Sequence, residues 1–542
     1  MLVAYDTSGH GRSRSRSRKS RLISSFRDGS GGLSVDQSGL LKSETPYGIA
    51  ASTRYYDRAG RESATTTGAG TTCSTYDNEG RLTQDQAPGE SQPTTYSYDP
   101  AGVQRTATNS TGTVTSEYDE ARRLKRTVDS FGASANYAYD SESNLLQRIA
   151  SIPDQANYTT TYIYDAGDRL TSETDPASRT YSFFYTNRDE LKATRYPNGT
   201  FSWSDYNADG SLAALYNRHG LLPTPLPPNV PADSNPVVDY AYTFDIDGKQ
   251  IQEVRSGGGL TARTTSYAYD NLDRLSQATL PGGTCRKYLF DLDSNRSAIQ
   301  EASTGCGGTF STTASYVYDA QHLDELQSVT QGQPTNFAYT SDGQVSTRGS
   351  ATLTWDGRGR LSGGTFAGSN VTYSFDSTGF RRERNVVPSP VPRIRRYLLG
   401  GLFERDGAGN LLQSDIDGPA GDLAHYAGAP TISTTVSYLY YSGHGDLAAE
   451  ANALGTRTAA YSYDPFGAPN ESVPDNTTTE RWTGRWRKKL DTATSLIAMG
   501  ARSLRREPWP LPVSGPDRRR LPQPIRLRWS GPNRQVRSCR HV

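Results

Sequence analysis

The chain has little cysteine, little methionine and almost no net charge. Four cysteines occur in 542 residues, too few for a fold built on disulfides. The formal net charge of +1 gives no overall attraction to nucleic acid or to an acidic membrane. No apolar run is long enough to cross a bilayer, and the first twenty residues lack the apolar stretch of a signal peptide. We therefore expect no nucleic-acid partner and no membrane span.

Recognisable catalytic motifs are also missing. The sequence has no Gly-x-Ser-x-Gly elbow, no Walker loop and no His-Glu-x-x-His motif. None of its six histidines has the spacing of metal ligands with another His, Cys or carboxylate. Paired carboxylates such as Asp245 and Asp247 resemble an acid and base pair, but their position in turns already explains them. We predict no catalytic residue, no metal and no cofactor.

Tyrosine and glycine are abundant instead, and they recur in one repeated unit. There are 34 Tyr against 14 Phe, and 52 Gly. The unit is Tyr-x-Tyr-Asp-x-x-Gly-Arg-Leu or a degenerate copy, and about sixteen units of roughly 20–25 residues follow one another. Residues of three of its copies are Tyr96, Tyr98, Asp99, Gly102; Tyr162, Tyr164, Asp165, Arg169, Leu170; and Tyr267, Tyr269, Asp270, Arg274, Leu275.

Each unit is typical of a strand, a tight turn and a second strand. Alternation in Tyr137-Ala138-Tyr139 places both rings on one face of a strand. The Asp ends the strand because its carboxylate accepts hydrogen bonds from nearby backbone N–H groups. The Gly supplies a positive φ in the turn, and the Arg-Leu step starts the return strand. Such units bury their apolar faces only against neighbours, so we predict an all-β repeat array of antiparallel β-hairpins.

These residues resemble the YD-repeat, or RHS-repeat, family of bacterial polymorphic toxins and wall-associated proteins. The resemblance covers approximately residues 45–505. Tyr438–Leu447 is similar to the family's histidine-containing segment, and Trp482–Arg485 and Met499–Arg502 to the start of its RHS-associated core. The residues that carry the core signature are Tyr463, Asp464, Pro465, Phe466, Gly467 and Gly484.

The resemblance implies a function. In that family the repeats spiral into a large hollow β-shell, and the core cuts itself from a variable C-terminal toxin. We therefore expect a secreted or cell-surface structural shell whose partner, in intact relatives, is a toxin or effector polypeptide. Two other functions stay open: a surface protein that binds glycans through exposed Tyr and Asp, and an autoproteolytic aspartyl enzyme.

The resemblance stops after Arg502, where the family's Tyr-Asp-Pro-rich continuation is missing. When the reading frame is moved by one base, the codons for Trp509-Pro510 always contain a glycine codon. This glycine falls at the place where the family has glycine. We therefore expect an out-of-frame tail that does not fold, rather than an Arg-rich nucleic-acid-binding segment. The expected organisation is a disordered or atypical segment (1–44), a repeat shell (45–435), the start of the core (436–502) and the tail (503–542).

Cys285 and Cys306 flank one repeat. If the strands between them pair as a hairpin, both cysteines lie near its open end and could form a disulfide. Such a loop would contribute roughly 3 kcal/mol in the chain-entropy picture. Two small buried thiols fit the sequence equally well.

Overall fold

The computed structural model describes residues 32–35, 39–45, 50–258, 260–320, 325–388, 393–431, 433, 435–469, 481–499 and 502–505. The described residues fall into two compact units. One contains residues up to 93 together with 315–359, and the other contains 94–314 together with the residues from 360 onwards. No helix among the described residues is long and apolar enough to cross a membrane.

The described part of the chain consists almost entirely of strands. Up to residue 302 these are β1 Gly32–Val35, β2 Leu41–Thr45, β3 Ser52–Tyr56, β4 Glu62–Thr67, β5 Gly70–Tyr76, β6 Leu82–Gln86, β7 Thr94–Tyr98, β8 Gln104–Asn109, β9 Gly112–Tyr118, β10 Leu124–Val128, β11 Ser134–Tyr139, β12 Leu145–Ser151, β13 Asn157–Tyr164, β14 Leu170–Thr174, β15 Thr180–Tyr185, β16 Leu191–Arg195, β17 Thr200–Tyr206, β18 Leu212–His219, β19 Val238–Phe244, β20 Gln250–Gly257, β21 Leu260–Tyr269, β22 Leu275–Thr279, β23 Cys285–Phe290 and β24 Arg296–Ala302.

The remaining strands are β25 Ser311–Tyr318, β26 Leu326–Gln331, β27 Gln333–Tyr339, β28 Val345–Arg348, β29 Ala351–Trp355, β30 Leu361–Phe366, β31 Ser369–Phe375, β32 Arg381–Val387, β33 Ile394–Leu398, β34 Phe403–Asp406, β35 Leu411–Gly418, β36 Gly421–Ala427, β37 Val436–Tyr441, β38 Leu447–Ala451, β39 Arg457–Ala460, β40 Leu490–Asp491, β41 Leu496–Met499 and β42 Arg502–Arg505. Among the described residues, two single 3-10 turns, Leu399–Gly401 and Gly484–Trp486, interrupt these strands.

Successive strands pair antiparallel, and the hairpin of β13 and β14 shows the repeated geometry. Tyr164 pairs with Leu170, and the register shifts by one residue between Ile163 and Tyr164. The same bulge recurs beside the last tyrosine of the other motif hairpins, for example between Ala268 and Tyr269. The extra residue increases the local twist of the strand pair. The predicted all-β array of antiparallel hairpins is confirmed.

Polar contacts connect the two chain segments that make up the smaller unit. Arg358 donates from Nε to Oε1 of Glu90 at 2.6 Å and also binds the buried carboxylate of Asp85. Asp342 accepts the backbone N–H of Gly68 at 2.7 Å. These contacts join hairpins that lie more than 250 residues apart in the sequence.

The core of the larger unit lies where β13–β19 pack against β35–β38. Its buried residues are rich in tyrosine, and partly buried leucines pack around them. Tyr181 contacts Tyr438 with ring centroids 6.2 Å apart, and Tyr196 contacts Tyr440 at 5.1 Å. A ring with a hydroxyl suits this position because it fills apolar volume and can also make a hydrogen bond.

The described residues modify our expectations for both ends of the chain. β1 and all but the last residue of β2 lie in the segment 1–44, which we expect to be disordered or atypical, and β2 pairs with both β1 and β3. Residues 1–31 lie outside the described residues. β42 includes residues 503–505 and pairs with β41, so pairing continues three residues beyond the predicted end of the fold. The rest of the predicted tail, 506–542, lies outside the described residues.

Candidate functional site

The motif aspartate organises each turn with both of its carboxylate oxygens. Oδ1 of Asp165 accepts the N–H groups of Gly167 at 2.9 Å and of Arg169 at 3.1 Å. Oδ2 accepts Nε of Arg169 at 2.8 Å. Burial raises the pKa of Asp165, but these hydrogen bonds and the guanidinium charge outweigh it, so the pKa lies below its ordinary value. Both oxygens of the Asp165 carboxylate therefore take part in hydrogen bonds within the turn.

The motif arginine connects neighbouring repeats, a role that the sequence did not indicate. Beyond Asp165, Arg169 reaches Oδ1 of Asp189 in the next turn at 2.9 Å. Its guanidinium also lies 5.3 Å from the ring centroid of Tyr185. The same stacking joins Arg61 to Tyr76 and Arg274 to Phe290, both at 4.4 Å.

The last tyrosine of a strand makes a second connection between repeats. Its hydroxyl donates to a carbonyl at the start of the preceding return strand, in most cases that of the motif leucine. We call this hydrogen bond the tyrosine latch. It occurs in Tyr56–Leu41, Tyr139–Leu124, Tyr185–Leu170, Tyr206–Leu191, Tyr269–Gln250 and Tyr339–Leu326, with distances from 2.6 to 3.0 Å.

The left-handed residue of the turn is fixed by position rather than by residue type. Gly102, three residues after Asp99, has a φ of 81°. In the turn of Asp165 the third residue is Asp168, with a φ of 59°, whereas Gly167 is not among the positive-φ residues. Asp273 takes the same position after Asp270, with a φ of 62°. The position that the motif assigns to glycine therefore keeps its positive φ in the copy at Asp165, although Asp168 occupies it.

The predicted motif side chains lie mostly inside the array. Tyr162, Leu170 and Leu275 are buried. The other tyrosines of the three quoted copies are half-buried: Tyr96, Tyr98, Tyr164, Tyr267 and Tyr269. Rings in this position stabilise the packing of adjacent hairpins and offer little free face for stacking on a sugar.

The predicted core signature forms a buried turn. Asp464 accepts the N–H groups of Phe466 and Ala468, both at 2.9 Å, and Nη1 of Arg286 at 2.9 Å. Burial raises the pKa of Asp464 despite these donors. Phe466 lies 4.8 Å from the ring of Tyr288. Pro465 is half-buried, and Tyr463 forms a bridge with Pro469 that closes the turn.

Three signature segments that are separate in the sequence meet in the structure. They are the turn 442–446, the turn 464–467 and residues 481–487, which we together call the core junction. Trp482 stacks on His444 with ring centroids 5.8 Å apart. A Cβ on Gly467 would lie 2.5 Å from Trp482, so this position admits only glycine without a shift. Asp446 accepts the N–H of Thr483 at 2.8 Å, and the neighbouring Gly484 is buried.

Two titratable groups beside the core junction have shifted pKa values. Burial, followed by the nearby carboxylate of Asp446, raises the pKa of Glu253 to about 7. The same carboxylate, 3.0 Å from Nδ1 of His444, raises the pKa of that imidazole to about 9. The His444 side chain is 59% exposed, so water weakens the effect of this ion pair on stability. Protonation at the core junction therefore depends on pH.

Residues 487–491, which begin at the end of the core junction, are held by ion pairs whose carboxylates are buried. We call the contacts of residues 487–491 the ionic anchor. Its contacts are Arg487–Asp422 at 2.8 Å, Lys489–Asp415 at 2.7 Å, Lys489–Glu404 at 3.1 Å, Asp491–Arg384 at 2.9 Å and Tyr373–Asp491 at 2.7 Å. No motif in the sequence marks these partners, because they come together only when distant strands pack.

Cys285 and Cys306 form a disulfide in the structure, with Cα atoms 5.0 Å apart. Cys285 begins β23 and pairs with Ala302 at the end of β24, so the bridge lies at the open end of this hairpin. Within the described ranges, no group of three or more His, Cys, Asp or Glu side chains could hold a metal ion.

Comparison with known proteins agrees with this geometry. A family model described as the teneurin YD-shell matches residues 74–219. The chain is a YD/RHS-repeat protein. The crystal structure of TcdB2-TccC3 is similar over 90% of this chain and 28% of that chain, with a TM-score of 0.65 and 16% identity. A structure of the Tc holotoxin pore of Photorhabdus luminescens is similar over 90% of this chain and 27% of that chain, with a TM-score of 0.66 and 16% identity. This similarity shows that the YD/RHS protein has the RHS/YD shell fold.

Two curated relatives match part of the repeats. The tRNA3(Ser)-specific nuclease WapA of Bacillus spizizenii is 25% identical over 221 residues, and the tRNA nuclease WapA of Bacillus subtilis is 25% identical over 222 residues. Each match covers 38% of the YD/RHS chain and only 9% of the relative.

Proposed function

We propose that this YD/RHS protein is a structural shell that encapsulates or presents a C-terminal toxin or effector polypeptide in bacterial competition. The ionic anchor supports this role most directly. It fixes residues 487–491 to distant strands through ion pairs whose carboxylates are buried. In the resembling family, the corresponding segment leads to the effector.

The same proposal includes export to the cell surface or the medium, and a role without catalysis. The Arg and Asp residues of the family's self-cleavage site lie beyond the point where the resemblance ends. The expressed chain is therefore expected to stay in one piece. Mass measurement of the purified protein should give a single species near 59.1 kDa. Two fragments whose masses add up to the whole would support the autoproteolytic enzyme instead.

A fusion experiment tests the carrier role. An unfolded reporter with one site for a sequence-specific endoprotease is attached after Arg505, and its cleavage rate is compared with that of the free reporter. We expect slower cleavage in the fusion, and a loss of protection with Asp422→Ala, which removes the partner of Arg487. The exposed-turn variant Asp247→Ala is the matched control. Equal cleavage of the fused and free reporter would contradict encapsulation.

Glycan binding has no supporting observation in the described residues. That hypothesis requires exposed motif tyrosines, whereas the quoted copies are buried or half-buried. A glycan array with the full chain remains the direct test, and we expect no specific binding.

A further inference from the structure

Three consecutive turns of the larger unit carry large aliphatic side chains at their tips. Ile246 and Leu292 follow the motif aspartate directly and are fully exposed, at 101% and 103%, and Leu272 lies one position later and is 69% exposed. Most other motif turns carry small or polar residues here, such as Asn78-Glu79 and Ser141-Glu142. We call Ile246, Leu272 and Leu292 the apolar turn row.

Direct contacts hold these three turns side by side. Nζ of Lys249 in the first turn binds Oδ1 of Asp273 in the second at 2.5 Å. Nη1 of Arg274 in the second turn donates to Oγ of Ser294 in the third at 3.0 Å. Because one hairpin contributes two strands, its tip lies about 10 Å from the next. The row is therefore an ordered line of apolar groups, unlike the isolated exposed apolar residues that most surfaces carry.

The surroundings of the row are acidic. The turns 245–249, 270–274 and 291–295 contain six aspartates, one lysine and one arginine, a formal balance of two minus six, or −4. The carboxylates of Asp247 and Asp273 are 66% and 68% exposed. Such a rim attracts cations and opposes both anionic membranes and a second copy of the same rim.

We propose that the apolar turn row docks a basic amphipathic helix of another polypeptide. Two turns of an α-helix advance about 11 Å, close to the distance between successive hairpin tips. Apolar side chains at every seventh position of such a helix would meet Ile246, Leu272 and Leu292 in order. Lysines or arginines beside them would face the acidic rim. This interaction is independent of any effector at the C-terminus.

The probe is a fluorescent peptide of roughly 21 residues, three heptads, with leucine at one position of each heptad and lysines beside it. Its binding to the full chain is measured by anisotropy. Ile246→Ser, Leu272→Ser and Leu292→Ser are combined in one variant, and we expect its affinity to fall about ten-fold or more. Leu454→Ser, at another exposed turn (85%), is the matched control and should bind as the unmodified chain does.

The charge of the partner is tested separately. The same peptide with glutamate in place of lysine should not bind, and Asp247→Asn with Asp293→Asn should weaken binding of the lysine peptide. The proposal is overturned by failure of the unmodified chain to bind, by unchanged binding to the triple serine variant, or by equal binding of the glutamate peptide. Binding of the chain to anionic vesicles would also overturn the proposal, and so would a dimer of the chain that the triple serine variant does not form.

Discussion

The hairpin repeats and the ionic anchor are stabilised in opposite ways. In a repeat such as Asp165–Leu170, the carboxylate accepts hydrogen bonds from groups two and four residues away, and the polar contacts of Arg169 and of the latch tyrosine Tyr185 reach the adjacent repeat. In the ionic anchor, Asp491 binds Arg384 and Tyr373, 107 and 118 residues away. The comparison shows that many small local contacts build each hairpin, whereas a few ion pairs with buried carboxylates fix residues 487–491 to distant strands.

The largest expected effect comes from the ionic anchor. Asp491→Ala leaves the buried guanidinium of Arg384 without its carboxylate, and Asp491 itself is only 3% exposed. Removing one partner of a buried pair costs about 3–5 kcal/mol. Urea unfolding monitored by tryptophan fluorescence should show this loss.

Asp247→Ala is the control for Asp491→Ala, because its carboxylate is exposed and should contribute little. If both variants lost equal stability, the distinction between anchor and repeats would fail.

The second effect is a pH dependence at the core junction. The folded-state pKa of Glu253 is about 7, above its ordinary value of 4.5. A raised pKa means that the protonated form stabilises the fold, fully below pH 4.5, and that this stability is lost as the pH rises through 7. The free energy of unfolding should therefore fall by about 2–3 kcal/mol at most over this window.

Glu253→Gln should make this slope shallower, as measured by urea midpoints at a series of pH values, and the carboxyls of Asp464 and Glu173, whose pKa values are also raised, account for the part that remains. His444, whose pKa is also raised, contributes with the same sign, but only above pH 6.5. An unchanged slope in Glu253→Gln below that pH would show that Glu253 is not the responsible group.

A smaller effect tests the tyrosine latch. Tyr185→Phe removes the hydroxyl that donates to the Leu170 carbonyl at 2.8 Å and should cost about 1 kcal/mol. The chain offers the reciprocal change, since Phe290 takes the latch position fifteen residues after Leu275, the same separation as in Tyr185–Leu170.

Phe290→Tyr should therefore stabilise the array by up to about 1 kcal/mol. Thermal unfolding of both variants measures the pair of effects. A loss of stability in Phe290→Tyr would mean that the latch geometry does not transfer between repeats.

The smallest effect concerns the left-handed turn position. Arg122 is exposed with a φ of 62°, where Gly102 stands in another repeat. Arg122→Gly should relieve strain of about 1 kcal/mol, partly offset by the larger entropy that glycine loses on folding. Gly102→Ala should destabilise by a similar amount, and thermal unfolding compares the two. Equal stability of Arg122→Gly and Gly102→Ala would show that the turn tolerates either residue type.

The sequence predicted the repeats well because their contacts are local. The Tyr-Asp pattern placed the strands, the turns and the inward rings, as Tyr162 and Leu170 illustrate. It missed the arginine stacking and the tyrosine latch, although both recur at fixed separations of about one repeat, and that periodicity could have indicated them. It also did not indicate that an aspartate, Asp168, would take the left-handed position of the motif glycine in the copy at Asp165.

The sequence by itself determined the hairpin, since an aspartate, a left-handed residue and alternating tyrosines specify a turn and two strands within a few residues. Only the tertiary structure decided which distant strands meet. The ionic anchor forms because β35 and β36 bring Asp415 and Asp422 to Lys489 and Arg487. Ion pairs of this kind follow from packing, and residues that are separated by scores of positions carry no periodic mark of their partners.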